Sequence, residues 1–297
     1  MGDADDSYDF LDTHRFVEKL REGHDLVQGC RLPSGGGRIA PGAMPLSHRW
    51  AGNPAFSLLA SMWFGSPIHD VYCGFRKDFY LGLAQRCTGM EFATEMIIRA
   101  SLAGARIAEI PIVLHVDGRK ERGSHLRTVR DGWRTLRLYL MYTPRWLFLV
   151  PGLLLGLLGV FGYAVAMPGL TLGGAHFDAH TLAVASLLIL MGYQSVVFAA
   201  LTQTFAIGEG LLPMDPRSRR LYQIVTLERG VLAGAVAIGL GIACLAWALY
   251  GWHLTGYGPL DYGRTMRVVI PGVLLTALGF QTILSSFFLS ILGLRRR

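Results

Sequence analysis

Asp3-Ala-Asp5 opens an acidic run that continues through Asp6 and Asp9, so four carboxylates fall within seven residues. In an extended or turning segment, residues i and i+2 project to the same side. Two carboxylates placed in this way can share one hard cation, Mg2+ or Mn2+, which takes oxygen ligands. Such a cation neutralises a diphosphate and helps it depart as a leaving group. The same residues also suit a solvated acidic turn, or a cap cluster ahead of the helix-like stretch Asp12–Arg21. Spacing alone does not choose between them.

A second chemical stretch is the Gly-rich segment Pro33–Pro45, "PSGGGRIAPGAMP", with Arg31, Arg38 and Arg49 in or beside it. Gly35, Gly36 and Gly37 make it look mobile. With its arginines it could close on an anion, or it could be a plain surface linker. "DVYCGFRKD" (Asp70–Asp78) and "TGMEFATEMIIRASLAGARIAEIPI" (Thr88–Ile112) follow. The latter reads as a helix ending near Gly104, then a short strand closing on Pro111.

The elements that must position these residues divide the chain in two. Of 297 residues, 52% are hydrophobic and only 16% charged, and the mean hydropathy is +0.37, too apolar for an ordinary soluble chain. The apolar residues concentrate beyond Leu147. Four stretches are long and uncharged enough to span a bilayer: Leu147–Met167, Thr181–Ile207, Val231–Trp252 and Val268–Leu292. Small residues recur in them (Gly152, Gly156, Gly159; Gly230, Gly234), which allows close helix packing within the chain or between copies in a homo-oligomer. The four cysteines (Cys30, Cys73, Cys87, Cys244) show no CxxC spacing, which argues against a zinc site and reads as reduced, unpaired thiols. The first ten residues are acidic and polar, unlike a secretory signal peptide.

Charge asymmetry predicts an orientation. The positive-inside rule places 26 of the 28 Lys and Arg residues on the cytoplasmic side, with both termini and the soluble half. The expected address is a cytoplasmic (inner) membrane, crossed several times. Residues 119–145 carry eight basic residues against Glu121 and Asp131. Arg127, Arg130, Arg134 and Arg137 form one helical stripe; Leu126, Val129, Trp133, Leu136 and Leu140 form another beside it. Such a helix can lie in the headgroup plane, with guanidinium groups on lipid phosphates, or pack on the soluble domain with a solvated basic face. Residues 1–146 hold 19 basic and 16 acidic residues and no nucleic-acid motif, so nucleic acid is not an expected partner.

From Asp3 to about Trp146, the order of motifs resembles the membrane-bound polyprenyl-phosphate group of family 2 glycosyltransferases, which includes dolichyl-phosphate mannosyltransferases and undecaprenyl-phosphate glucosyltransferases. "GDADDSYDF" resembles their Asp-x-Asp motif, "GCR" (Gly29–Arg31) their Gly-Ser-Arg, and "DVYCGFR" (Asp70–Arg76) their Asp-x-x-x-Gly-Phe-Arg. "GMEFATEM" (Gly89–Met96) resembles their glutamate-bearing helix, and "GRKERGSHL" (Gly118–Leu126) the Arg-rich segment before their membrane-surface helices. The four apolar runs fit the multi-span members.

The resemblance implies an α/β fold: the C-terminal part of an A-type, Rossmann-like glycosyltransferase domain (residues 1–118), a basic interfacial helix (119–146) and a membrane domain of four helices (147–297). It implies transfer of a hexose from a UDP- or GDP-hexose to polyprenyl phosphate, with inversion and a Mg2+ or Mn2+ cofactor. Asp3 and Asp5 would hold the metal and the nucleotide diphosphate. Ser7 stands where some relatives place an amide ligand. Arg31, Arg49, Arg119 and His125 would grip the acceptor phosphate, His125 standing where relatives often carry lysine. Asp70, Arg76, Glu91 and Glu95 would shape the pocket, although buried ion pairing explains these four as well. The nucleophile is already an anion at neutral pH, so holding two anions together is the main task.

In that fold the metal motif follows the fourth strand, so roughly 90–100 residues of strand–helix units are expected ahead of Asp3. The sequence as it stands is therefore expected to be N-terminally truncated and inactive alone, with Met1 an internal methionine; a genuine remnant is the other reading. A processive polysaccharide synthase is a competing enzyme reading, but "HRW" (His48–Trp50) and "PRW" (Pro144–Trp146) lack the Gln-x-x-Arg-Trp context. A non-catalytic membrane remnant acting through its spans is the non-enzyme alternative.

Overall fold

The structure, a computed structural model, describes residues 1–2, 5–44, 52–66, 68–70, 72–118, 128–172, 174–215 and 226–294. Of the expected site residues, Asp3, Arg49, Arg119 and His125 lie outside the described residues. Two compact units emerge, Met1–Tyr142 and Thr143–Arg297.

The first unit is a layered α/β arrangement. Helix α1 (Thr13–Arg21) leads to strand β1 (Leu26–Cys30) and then to the short β2 (Arg38–Ile39). Helix α2 (Asn53–Phe64), strand β3 (Cys73–Phe75), helix α3 (Lys77–Gly82) and helix α4 (Phe92–Leu102) follow. Strands β4 (Ile107–Pro111) and β5 (Val113–Leu114) precede helix α5 (Thr128–Tyr142), which groups with this unit. Strand β1 is central, antiparallel to β3 and parallel to β4.

All five residues of β1 are buried, as a strand covered on both faces requires. Alternation sends Val27 to one face, where it packs with Phe16 of α1, Tyr8, Tyr72 and Ile110. Leu26 goes to the other, with Met96, Ile97 and Ala100 of α4. On the β3 edge, Met1 and Cys73 exchange backbone hydrogen bonds of 2.7 and 2.9 Å. The expected helix ending near Gly104 and strand closing on Pro111 are α4 and β4.

The Gly-rich segment is folded rather than loose. Gly35 and Gly37 N–H both donate to the Leu32 carbonyl at 3.1 Å, and β2 pairs in parallel with β5. Gly37 lies so close to the backbone of Cys30 and Arg31 that a Cβ there would clash with both. Tight approach to β1 explains the glycines better than mobility does.

The second unit holds four helices long and apolar enough to cross a membrane, over Arg145–Ala166, Ala179–Gly208, Leu227–Leu254 and Tyr262–Gly293. They contain α6 (Val150–Ala166), α7 (Ala179–Gly208), α8 (Leu227–Leu254) and α9 (Tyr262–Leu294), with strands β6 (Thr171–Leu172) and β7 (Ala175–His176) pairing between the first two. The chain is thus an integral membrane protein. The last three helices run past the apolar stretches expected from sequence at both ends, whereas the first span starts two residues early, at Arg145, and ends at Ala166, one short of the expected Met167.

The small residues pack within the chain. A Cβ on Gly192 of α7 would come within 2.7 Å of the Gly152 carbonyl of α6, and one on Gly234 of α8 equally near the Gly279 carbonyl of α9. Tyr163 to Ser186 and Tyr193 to Thr282, both at 2.6 Å, add hydrogen bonds between α6 and α7 and between α7 and α9. Such contacts suit helices whose apolar faces gain little from leaving lipid.

Candidate active site

The acidic turn, the end of β1 and the approach to β3 converge. Asp5 Oδ1 accepts the Ser7 amide at 3.1 Å, and the turn continues through Asp6 at a φ of 61°, a left-handed conformation that aspartate tolerates. Tyr8 then turns inward. Its hydroxyl donates to Asp70 Oδ1 at 2.5 Å, and its ring stacks on Tyr72 at a centroid distance of 4.8 Å.

Asp70 is 2% exposed, and its Oδ1 also accepts the Tyr72 amide at 3.3 Å. Its Oδ2 lies 3.5 Å from Nε of Arg31, the first residue past β1. Tyr8 thereby links the acidic turn to the arginine expected to face the acceptor. A third strand of chain joins them: His115 donates to the Ser7 carbonyl at 2.9 Å, and Gly118 to the Asp5 carbonyl at 2.8 Å. Oxygen-only donors at this turn, Asp5 with Asp6 beside it, are the chemistry that a hard divalent cation takes.

The four residues expected to shape a pocket do not gather at one point. Asp70 and Arg76 lie at opposite ends of the β1–β3 pair. Arg76 is half-exposed, with Nη1 3.7 Å from Asp25 Oδ1 just ahead of β1. Glu91 lies 3.9 Å from Nε of Arg134 on α5. Glu95 is fully buried: its Oε1 accepts from Arg99 Nε at 2.8 Å and the Tyr142 hydroxyl at 2.6 Å. Its Oε2 accepts the amides of Arg86 at 3.0 Å and Cys87 at 2.6 Å. Burial alone would push this carboxyl up, but the hydrogen bonds from Tyr142, Cys87, Arg86 and Arg99 outweigh it and bring its pKa down to about 2. Glu95 therefore ties α4, the loop before it and α5 together.

Helix α5 keeps Leu138, Tyr139 and Tyr142 against the first unit. Val129, Trp133 and Met141 stay exposed, at 87%, 61% and 59%, on a face shared with Arg130 and Arg137. Only two residues separate α5 from the first candidate span.

Two features escaped the sequence reading. Tyr8 lies inside the acidic motif, and an aromatic hydroxyl two residues past the turn was its only signal. The other is a cluster on the opposite face of the sheet: Cys30 at the end of β1, His69 and Glu109 of β4. His69 Nδ1 lies 3.0 and 3.1 Å from the two Glu109 oxygens. Hydrogen bonding to Cys30 and to Glu109 pushes the His69 pKa up to about 9, against the opposing effect of burial.

Comparison with known proteins gives the family. The model of the glycosyltransferase family 2 C-terminal transmembrane region matches residues 200–293. Low-salt glycan biosynthesis hexosyltransferase Agl6 of Haloferax volcanii is 33% identical over 302 residues, covering 99% of this chain and 70% of that protein. A dolichyl-phosphate hexose transferase of the same organism is 33% identical over 112 residues, 37% of this chain and 46% of its own length. Glycosyltransferase AglJ, also from Haloferax volcanii, is 26% identical over 137 residues, 44% of this chain and 43% of its own.

Proposed function

The chain belongs to the membrane-bound glycosyltransferases of family 2, and from that premise we propose that it transfers a hexose from a nucleotide-sugar to a polyprenyl phosphate at the cytoplasmic membrane face. The observation that carries this reading is the Tyr8–Asp70–Arg31 link, which holds the acidic turn beside the arginine at the end of β1. A donor diphosphate and an acceptor phosphate must meet without repelling each other; the carboxylates of the acidic turn would serve the one, through a cation, and the Arg31 guanidinium the other.

Asp5, with Asp3, would hold Mg2+ or Mn2+. When bound, the cation supplies charge neutralisation to the departing nucleotide diphosphate. Asp70 holds Arg31 by its Nε side, which leaves the outer guanidinium nitrogens to an acceptor phosphate. The acceptor phosphate is itself an anionic nucleophile at neutral pH, so these residues orient it rather than take a proton from it. Attack from the face opposite the nucleotide inverts the anomeric centre. The outward face of α5, with Trp133, Met141 and two arginines, suits the headgroup layer, where a lipid phosphate resides. Arg119, Arg49 and His125 would add further contacts to that phosphate, and a UDP- or GDP-hexose would serve as donor.

Acceptor binding tests the reading on the chain in detergent or nanodiscs. Arg31→Ala should weaken polyprenyl phosphate binding by about tenfold or more, the worth of a hydrogen bond to a charged group, and leave binding of the phosphate-free polyprenol unchanged. Equal affinity of the wild type for the two lipids would defeat it.

A further inference from the structure

We propose that Cys30, His69 and Glu109 form a binding site for a thiophilic divalent transition metal, Zn2+ above all, separate from the hard-cation motif at Asp5. One ligand atom from each residue lies within 4.8 Å of the other two, the separation that ligands around one small ion require. The donor set of one sulfur, one imidazole nitrogen and one carboxylate oxygen suits zinc and other late first-row ions, and a thiolate disfavours Mg2+ and Ca2+.

The three donors come from three segments distant in sequence. Cys30 ends β1, Glu109 sits in β4, and the β1–β4 register sets them two positions apart on neighbouring strands. His69 comes from the segment that enters β3. Gln28 Nε2 donates to Glu109 Oε1 at 2.6 Å and so orients the carboxylate from the sheet side, as groups behind metal ligands commonly do.

Access also fits. Cys30 is fully buried beneath Gly35, where a Cβ would strike its sulfur. The His69 and Glu109 side chains are 13% and 32% exposed. An ion therefore enters from the histidine–glutamate side, meets the thiol beneath, and keeps a fourth position for water. The absence of CxxC spacing excludes a local zinc motif but not this one, whose ligands lie far apart in sequence and meet only through strand pairing.

The site also has a neighbour. Cys30 immediately precedes Arg31, and His69 immediately precedes Asp70. Alternation puts the metal ligands on one face of the sheet and the Arg31–Asp70 pair on the other. An ion there would pin both backbone segments that carry that pair. The proposal does not rest on the transferase reading, since its test reads metal binding and not turnover.

The test uses the full chain in detergent, with Co2+ as the spectroscopic probe. One equivalent of Co2+ should give tetrahedral ligand-field bands and a thiolate-to-cobalt charge-transfer band; Zn2+ should remove both, and excess Mg2+ should not. Cys30→Ser should abolish the charge-transfer band. His69→Ala and Glu109→Gln, which keep the buried thiol, should each weaken Co2+ binding by at least about tenfold. Zn2+ should raise the melting temperature of the wild type but not of His69→Ala. No charge-transfer band in the wild type, a band that survives Cys30→Ser, or unchanged affinity in both ligand variants would overturn the proposal.

Discussion

Replacing Glu95 by Gln keeps the shape of the side chain and removes its charge. In the wild type, one carboxylate receives four donors: Arg99 Nε, the Tyr142 hydroxyl and the amides of Arg86 and Cys87. A carboxamide offers one accepting oxygen, so its NH2 must face at least one pair of these donors. The Arg99 guanidinium, 7% exposed, then loses its counter-charge in a buried setting. Leaving one partner of a buried pair uncompensated costs about 3–5 kcal/mol. The depressed pKa that these same donors produce gives a figure of the same size. The Glu95 carboxyl falls from 4.5 to about 2 in the folded chain, which corresponds to about 3 kcal/mol of linkage. Because the folded pKa is depressed, this stability is fully present above pH 4.5 or so and is lost as the pH falls toward 2. Glu95→Gln should therefore destabilise the first unit by about 3–5 kcal/mol at pH 7. The penalty relative to wild type should shrink below pH 4.5, as the wild-type carboxyl protonates too. Thermal melts across pH, with hydrogen exchange at the Arg86 and Cys87 amides, read both effects. Equal melting of variant and wild type at neutral pH, or unchanged protection of those two amides, would refute the assignment of Glu95 as the tie between α4 and α5.

Tyr8→Phe removes the 2.5 Å bond to Asp70 and frees the acidic turn from Arg31. Transfer should fall by about ten- to a hundredfold, matching the 1.5–3 kcal/mol of a hydrogen bond to a charged group, with near-wild-type folding by circular dichroism. Gly37→Ala forces a methyl onto the backbone of Cys30 and Arg31, and should destabilise the first unit by about 1–3 kcal/mol in a thermal melt. Trp133→Ser alters an exposed ring on α5, so stability should stay within about 0.5 kcal/mol. The KM for lipid acceptor should nonetheless rise several-fold; an unchanged KM would remove α5 from the membrane-surface role.

What the sequence made legible followed from repeated patterns. The four spans stand out because each is a run of some twenty or more mostly apolar residues without a charge, and the α4–β4 boundary because Gly104 and Pro111 mark both ends. The glycines of the spans were recognisable as packing residues, but only the structure shows that Gly152, Gly159, Gly230 and Gly234 face helices of the same chain. The short elements escaped: β2, β3 and β5 are two or three residues long and are defined by their partners rather than by alternation. The Gly-rich segment looked mobile because close approach to a neighbouring strand leaves no mark beyond glycine itself. Asp70 and Arg76, six residues apart in one motif, read as a single pocket, but the β3 strand between them carries them to opposite ends of the sheet. Tyr8 and the Cys30–His69–Glu109 cluster depend on contacts distant in sequence, which no spacing rule encodes.

Following labelled hexose from UDP- or GDP-hexose into lipid, in membranes carrying the protein, puts the transferase reading to its most direct test. Product should form with polyprenyl phosphate and not with polyprenol, should depend on Mg2+ or Mn2+, and should be lost in Asp5→Ala while the protein remains folded. Transfer that persists in Asp5→Ala or without divalent metal, or that proceeds equally to polyprenol, would contradict it.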